Sequence, residues 1–383
     1  MNNIAYFDNC ATTQVDEDVL DVINSYSRRL FFNPSSRTNA SMAVRKDLEN
    51  ARAEIASLLG ASPNEIVFTS GGTESDNTAI LGAVKSRGGN VVTTASEHSA
   101  VYNAVMLLKN RSIDVRIAKT TSDGHIDVDD FLTKVDADTV LCTVMHVNNE
   151  TGAVNDDRSI CSKIKKINPN SFVFSDGVQA VGKIDVNVKV LGVDAYSVSG
   201  HKIHCSKGTG CLYVKNGVKV NPLILGGGQE SGMRSGTEFV AGQIALATAM
   251  KKAVQSVAAN TEKFLKFKEI LSEGMSKIPH SRVNCTENVS PAVFSVAFEG
   301  IKSEVLLRML EDDGFIVGTG SACSAKNKSS RFIAAIGLDK KYSEGVLRVS
   351  FSRENTTEDV RSLAGSLVKN VAELRKIMGV RFN

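Results

Sequence analysis

The sequence predicts an α/β fold, a large domain with a mostly parallel sheet joined to a smaller α+β domain. Three observations predict it. From residue 15 to about 250, helical stretches alternate with short apolar runs. Such alternation implies crossover units and hence parallel strands. After about residue 250 a long helical stretch leads into strand and helix signals of a different texture. Finally, a chain of 383 residues, 42% of them hydrophobic, suffices for one large core and a second, smaller one. The expected division is residues 15–250 for the large domain, and 1–14 with 251–383 for the small one.

The elements follow from local pattern. Val19–Leu30 and Ala43–Leu59 read as helices, the second ending at Gly60, which suits a left-handed C-terminal cap. Glu65–Thr69 (EIVFT) reads as a buried strand, with a helix starting near Thr73. Further strands are expected at Asn90–Thr94, Asp114–Ala118, Thr139–Val144, Phe172–Ser175, Ala195–Ser197 and Gly210–Val214. One long helix, about Ile244–Ile278, is expected to lead to a strand at Pro291–Phe298. Helices at Ser303–Asp313 and Thr357–Met378 complete the pattern.

Composition narrows the function classes. With 45 Lys+Arg against 42 Asp+Glu the net charge is only +3, so no electrostatic footprint for nucleic acid or an anionic membrane exists. No apolar run approaches the roughly 20 residues needed to span a bilayer, and the N-terminus MNNIAYFDNC lacks a signal-peptide pattern. The 7 cysteines are irregularly spaced and form no CxxC pair. A disulfide framework and a structural metal site are therefore not expected, and a reducing cytoplasm is.

The chemistry gathers at expected strand ends, the edge where open α/β sheets bind ligands. Ser197-Val-Ser-Gly-His-Lys202 follows one strand. A lysine held rigidly and partly desolvated there can form a Schiff base with an aldehyde cofactor. Taken alone, the segment fits a surface-loop lysine more often. Asp176, just past another strand, suits a partner for a protonated pyridine nitrogen, or simply a helix cap. Phe68-Thr-Ser-Gly-Gly-Thr-Glu-Ser75 runs from strand through glycines into a helix, a turn whose amides cradle phosphate. It lacks the Gly-Lys-Ser/Thr of a nucleoside triphosphate loop. His98, in Ser96-Glu-His-Ser99, could stack on a ring or shuttle protons, and Asn148 and Asn149 end a further strand.

Taken with Tyr6-Phe-Asp-Asn-Cys-Ala-Thr-Thr13, Asn33-Pro-Ser-Ser36, Gly226-Gly-Gly-Gln-Glu230, Arg234-Ser-Gly-Thr-Glu238, Gly320-Ser-Ala-Cys323 and Arg348-Val-Ser350, these motifs span nearly the whole chain. In that order they resemble the cysteine desulfurases of the class-V aminotransferase family. The resemblance implies a pyridoxal 5′-phosphate (PLP)-dependent transferase of fold type I. It implies that Lys202 carries the cofactor and moves protons, that His98 stacks on its ring, and that Asp176 and Gln179 meet the ring nitrogen and hydroxyl. Gly72, Thr73, Ser199 and His201 would hold the phosphate, and Thr237 would reach it from the neighbouring subunit of a homodimer with shared active sites. Asn33, Asn148 and Arg348 would receive the carboxylate of L-cysteine, and Asn148 would also lie at the cofactor. Cys323, with Lys326 and Lys328 nearby to favour its thiolate, would take the substrate sulfur as a persulfide and leave alanine.

The sulfur would then pass to an acceptor protein, an iron–sulfur scaffold or a tRNA thiolation protein, with no direct nucleic-acid contact. A selenocysteine lyase or another class-V aminotransferase-like enzyme is the alternative chemistry, and a low-turnover sulfur-relay protein the alternative class. Several positions depart from the family pattern: Cys10, Phe32, Asn39, Ser175, Gly177, Cys205 and Phe239.

Overall fold

The computed structural model describes residues 4–84, 88–319, 331–380 and 382. The strands are β1 (Ala5–Phe7), β2 (Ile66–Thr69), β3 (Asn90–Thr94), β4 (Asp114–Ala118), β5 (Thr139–Met145) and β6 (Phe172–Asp176). They continue as β7 (Ala195–Ser199), β8 (Gly210–Val214), β9 (Ser281–Val283), β10 (Val293–Phe298), β11 (Phe315–Val317) and β12 (Val346–Ser350). A seven-stranded sheet has the order β2-β8-β7-β6-β5-β3-β4. Within it β8 runs antiparallel to both neighbours and the other strands run one way.

Side chains alternate across this sheet because successive residues of a strand face opposite sides. Phe68, Val92, Val144, Val173, Tyr196 and Val198 enter one apolar cluster. Val67, Val91, Leu141, Phe174, Ala195 and Leu212 enter another. Both faces are thus covered by apolar packing, as expected of a mostly parallel sheet. Polar chemistry is left to the strand ends.

A second sheet, β12-β10-β9, is antiparallel and packs over a separate core that includes Phe264, Phe267, Phe294 and Leu347. β1 pairs with β11, and Cys10 N donates to Ser350 Oγ at 2.9 Å, so the chain start is tied to the second sheet. The expected single helix at 244–278 is two helices, Val240–Gln255 and Val257–Ser276, meeting at Ser256. There the Ser256 hydroxyl donates to Lys252 O at 2.7 Å. A serine bonded back to the carbonyl four residues earlier competes with the helix ladder and bends it. Among the described residues no helix is long and apolar enough to cross a membrane.

The departures at 175 and 177 have a local reason. A Cβ on Gly177 would lie 1.9 Å from Tyr196 Cε1 and 2.0 Å from its Cζ. Buried Tyr196 fills that space and bonds His146 Nδ1 at 2.8 Å, while Ser175 Oγ donates to Asp157 Oδ2 at 2.6 Å. Gly177→Ala should therefore overpack the core and destabilise the protein by about 1–3 kcal/mol in denaturant titration. A loss within the scatter of surface substitutions, below about 0.5 kcal/mol, would contradict this packing.

Candidate active site

At the carboxyl edge of the large sheet lies a cavity of about 520 Å³. Gly72 and Thr73 reach it from the turn after β2, His98 from the end of β3, Asp176 from β6, and Ser199, His201 and Lys202 from β7 and the turn that follows. Gln179 and Arg348 complete the expected residues on its wall. The turn after β2 needs a glycine, because a Cβ on Gly72 would sit 2.6 Å from Val178 Cγ2.

Lys202 Nζ donates to Cys10 O at 2.6 Å and to Ala11 O at 2.7 Å. Burial, and then the charge of Lys183, lower its pKa to about 8. Lys183 lies buried beside it with its own pKa lowered by burial, and its amine donates to Gln179 Oε1. Gln179 Nε2 donates to Cys10 O at 3.0 Å. One carbonyl therefore receives both Lys202 and Gln179.

His98 caps the helix Ser99–Leu108: its Nδ1 accepts from Ala100 N at 3.2 Å. Burial keeps its pKa low, so the neutral ring carries its proton on Nε2. His201, bonded through Nδ1 to Thr12 Oγ1 at 3.2 Å, is pushed down to about 4 by burial and then by Lys202. Both imidazoles are neutral at physiological pH.

Asp176 accepts from Val178 N at 3.0 Å and Ser197 Oγ at 3.4 Å. Two further buried carboxyls stand near it. Asp76, on the cavity wall, is raised well above the usual carboxylate range by burial and by Asp176. Glu97 is pushed up to about 8 by burial and by Asp176, with Thr143 pulling the other way. In this cluster Glu97 holds its proton at neutral pH, and Asp76 is shifted in the same direction.

Arg348 is 5% exposed. Its Nη2 donates to Asp8 Oδ1 at 2.6 Å and its Nη1 to Asn149 O at 2.7 Å, while its Nε is buried without a partner. A charged guanidinium on a cavity wall fits an incoming carboxylate. Arg331 flanks the opposite wall, bonding Ala95 O at 2.8 Å and lying 3.8 Å over the Tyr102 ring.

Some expected residues lie elsewhere. Asn148 is buried, but its Oδ1 accepts from Glu150 N and Thr151 N, both at 2.9 Å, and its Nδ2 donates to Ser96 O at 3.3 Å. Asn149 and Glu150 stand on the wall instead. Asn33 is exposed and accepts from Ser35 N at 2.8 Å, and Thr237 is exposed away from this cavity. Cys323 lies outside the described residues. Cys205 is buried in the core beside the large sheet and lines no part of the cavity. Sequence reasoning missed Lys183, Asp76, Glu97 and Arg331. Lys183 had a signal, falling four residues after Gln179 within the apolar run Ala180-Val-Gly-Lys-Ile184.

Residues 5–363 match the family described as aminotransferase class-V. The chain belongs to that family. A cysteine desulfurase IscS of Clostridium botulinum (strain Hall) is 35% identical over 98% of this chain and 96% of that protein. A solved structure titled NifS-like protein has a TM-score of 0.90 at 32% identity, covering 97% of this chain and all of that one. Another, titled SspA in complex with cysteine, has a TM-score of 0.79 at 30% identity, covering 90% of this chain and 98% of that one. The fold is that of the PLP-dependent type I transferases, and the cofactor of this class-V enzyme is PLP. The residues present fit it: a lysine of depressed pKa, a glycine turn at a helix start, a buried carboxylate and a charged guanidinium share one cavity.

The buried acid has a measurable sign. Unfolded Glu97 loses its proton near 4.5, whereas the folded residue keeps it to about 8. The fold therefore binds the extra proton between those values, and stability falls as pH rises through that window. Glu97→Gln copies the protonated form and removes the slope. The thermal midpoint of the variant relative to wild type should climb steadily between pH 5 and pH 8. A difference that stays constant over that range would mean Glu97 is ionised throughout.

Proposed function

We propose that this chain is a cysteine desulfurase, converting L-cysteine to L-alanine and passing the sulfur on through Cys323. The observation that carries this is that a desolvated Lys202 and the guanidinium of Arg348 line one cavity. A solved relative at 30% identity is titled as a complex with cysteine, which supports the substrate.

When bound, PLP supplies an electron sink for charge developing at the substrate α-carbon. Lys202 would hold it, with Gly72, Thr73, Ser199 and His201 at its phosphate, Asp176 at its ring nitrogen, Gln179 at its hydroxyl and His98 at its ring. The protein's own groups then divide the work. Arg348, on the cavity wall and held by Asp8 against rotation, takes the substrate carboxylate. Lys202, with a pKa near 8, accepts and returns the α-proton within reach of neutrality. The neutral His98 offers an Nε2–H toward the cavity. Glu97, as a neutral acid, avoids repelling the substrate carboxylate. Cys323 attacks the substrate sulfur as a thiolate: an S–S bond forms and the Cβ–S bond breaks. The β-carbon is reduced to the methyl of alanine, and the sulfur is left as a persulfide.

The same reading gives a homodimer in which Thr237 serves the neighbouring subunit. Leu225, twelve residues before Thr237, and Phe239, two residues after it, are 79% and 50% exposed, which supports a covered surface there. Glu74 pairs with Arg234 at 2.9 Å, and Glu230 grips Arg52 at 2.7 and 2.9 Å, so the 230–237 segment is firmly placed. The separate core under the second sheet supports a division into residues 15–250 and 1–14 with 251–383. The described cysteines are free thiols, in keeping with a reducing cytoplasm. The acceptor is a protein, an iron–sulfur scaffold or a tRNA thiolation protein.

Cys323→Ala should lower alanine formation from L-cysteine, without added thiol, on the order of 100-fold or more while leaving cofactor binding intact. Undiminished alanine formation would remove Cys323 from the reaction. A keto acid as product would assign the enzyme to transamination instead.

A further inference from the structure

Outside the cavity, one cluster brings together three different metal-ligating side chains. Asp123, His125 and Cys285 each place a ligand atom within 4.8 Å of the others. They come from two segments far apart in the chain. Asp123 and His125 lie on the turn that follows β4, where Thr120 bridges Ile126 and Thr121 N donates to His125 O at 2.8 Å. Cys285 lies just past β9 of the second sheet. The sequence contains no CxxC pair, so only the fold could reveal this grouping.

We propose that Asp123, His125 and Cys285 form a binding site for a thiophilic divalent cation of the zinc class, clamping the β4 turn to the second sheet. Imidazole, carboxylate and thiolate are the donors such ions take, with ligand bonds of about 2.0–2.3 Å. At tetrahedral angles those bonds put donors about 3–4 Å apart, so the cluster need contract only slightly.

The surroundings already have the form of an outer shell. His125 Nε2 bonds Asn288 O at 3.1 Å, and its Nδ1 stands 3.2 Å from Asp123 Oδ2. A metal-bound histidine characteristically donates its other ring N–H to a carbonyl, which fixes the tautomer. Here that donation leaves Nδ1 directed at the cluster. Asn288 is fixed in turn, since its carbonyl accepts Val154 N at 2.7 Å and Val289 bridges Ala153. Cys285 is buried, whereas Asp123 and His125 are half-exposed, so water can take a fourth position.

The site adjoins the cavity as well, because a Cβ on Gly124 would lie 3.2 Å from Cζ of Phe332, a cavity residue.

The test uses PLP-loaded enzyme carrying Cys323→Ser, so that the nucleophile cannot take up zinc. Zinc affinity is measured by competition with a chromophoric chelator, and the ion is located by anomalous diffraction at the zinc edge. We expect one equivalent bound, with the anomalous peak between Asp123, His125 and Cys285. Even outer-shell changes weaken metal sites up to about 100-fold, so loss of a ligand in Cys285→Ser should weaken binding by at least about 100-fold. Asp123→Asn, on the half-exposed turn, should weaken it too and decides the matter if the buried substitution does not fold. No zinc uptake by the parent, a peak elsewhere, or unchanged affinity in the folded variants would overturn the proposal.

Discussion

The large sheet is apolar on both faces, and that constraint organises the rest of the molecule. Alternate residues of β2, β3, β5, β6, β7 and β8 are committed to one or the other core. Charged side chains can then reach a shared space only where the strands end. Because most strands run one way, their carboxyl ends meet on one edge. Thr73, His98, Asp176, Ser199 and Lys202 come from separate stretches of chain yet stand in one cavity for that reason.

Placing so many ionisable groups in one half-dry space changes their charges. Burial lowers Lys202 and Lys183, and each lysine's charge bears on its neighbours. Burial raises Asp76 and Glu97, and the charge of Asp176 adds to both shifts. His98 and His201 are left neutral. The cavity thus holds a reachable neutral amine, two neutral imidazoles and, beside Asp176, the neutral acid Glu97 with Asp76 shifted the same way. No single residue sets this pattern, since each shift depends on the burial that the sheet imposes. Burial also opposes the charge of Arg348, but neighbouring groups that include Asp8 outweigh it, and the Asp8 bond orients the guanidinium.

Strands with two-fold alternation and glycine turns at their ends were legible in the sequence, because both signals are local. Gly72, Thr73, His98, Asp176, Ser199, His201 and Lys202 could be found that way. Lys183 left only a faint local signal, four residues after Gln179, and Arg331 left none, since its place depends on a contact with Ala95 far away in the chain. Asn148 stands buried with its Oδ1 spent on its own turn and its Nδ2 on Ser96 O, bonds that the sequence does not announce. The three-residue strands β1, β9 and β11 are too short to show alternation. The bend at Ser256 rests on one hydroxyl inside an otherwise helical pattern. The Asp123–His125–Cys285 grouping is a product of tertiary structure alone.

Of the two adjacent desolvated lysines, Lys202 lines the cavity and Lys183 does not, and Lys202 is therefore proposed to carry the cofactor. Lys183 is its direct rival, since it lies beside Lys202 and is also depressed by burial. Borohydride reduction of the PLP-loaded enzyme, followed by peptide mass spectrometry, separates the two. The account predicts a pyridoxyl group on Lys202 and an unmodified Lys183. A pyridoxyl group on Lys183, or on neither lysine, would contradict it.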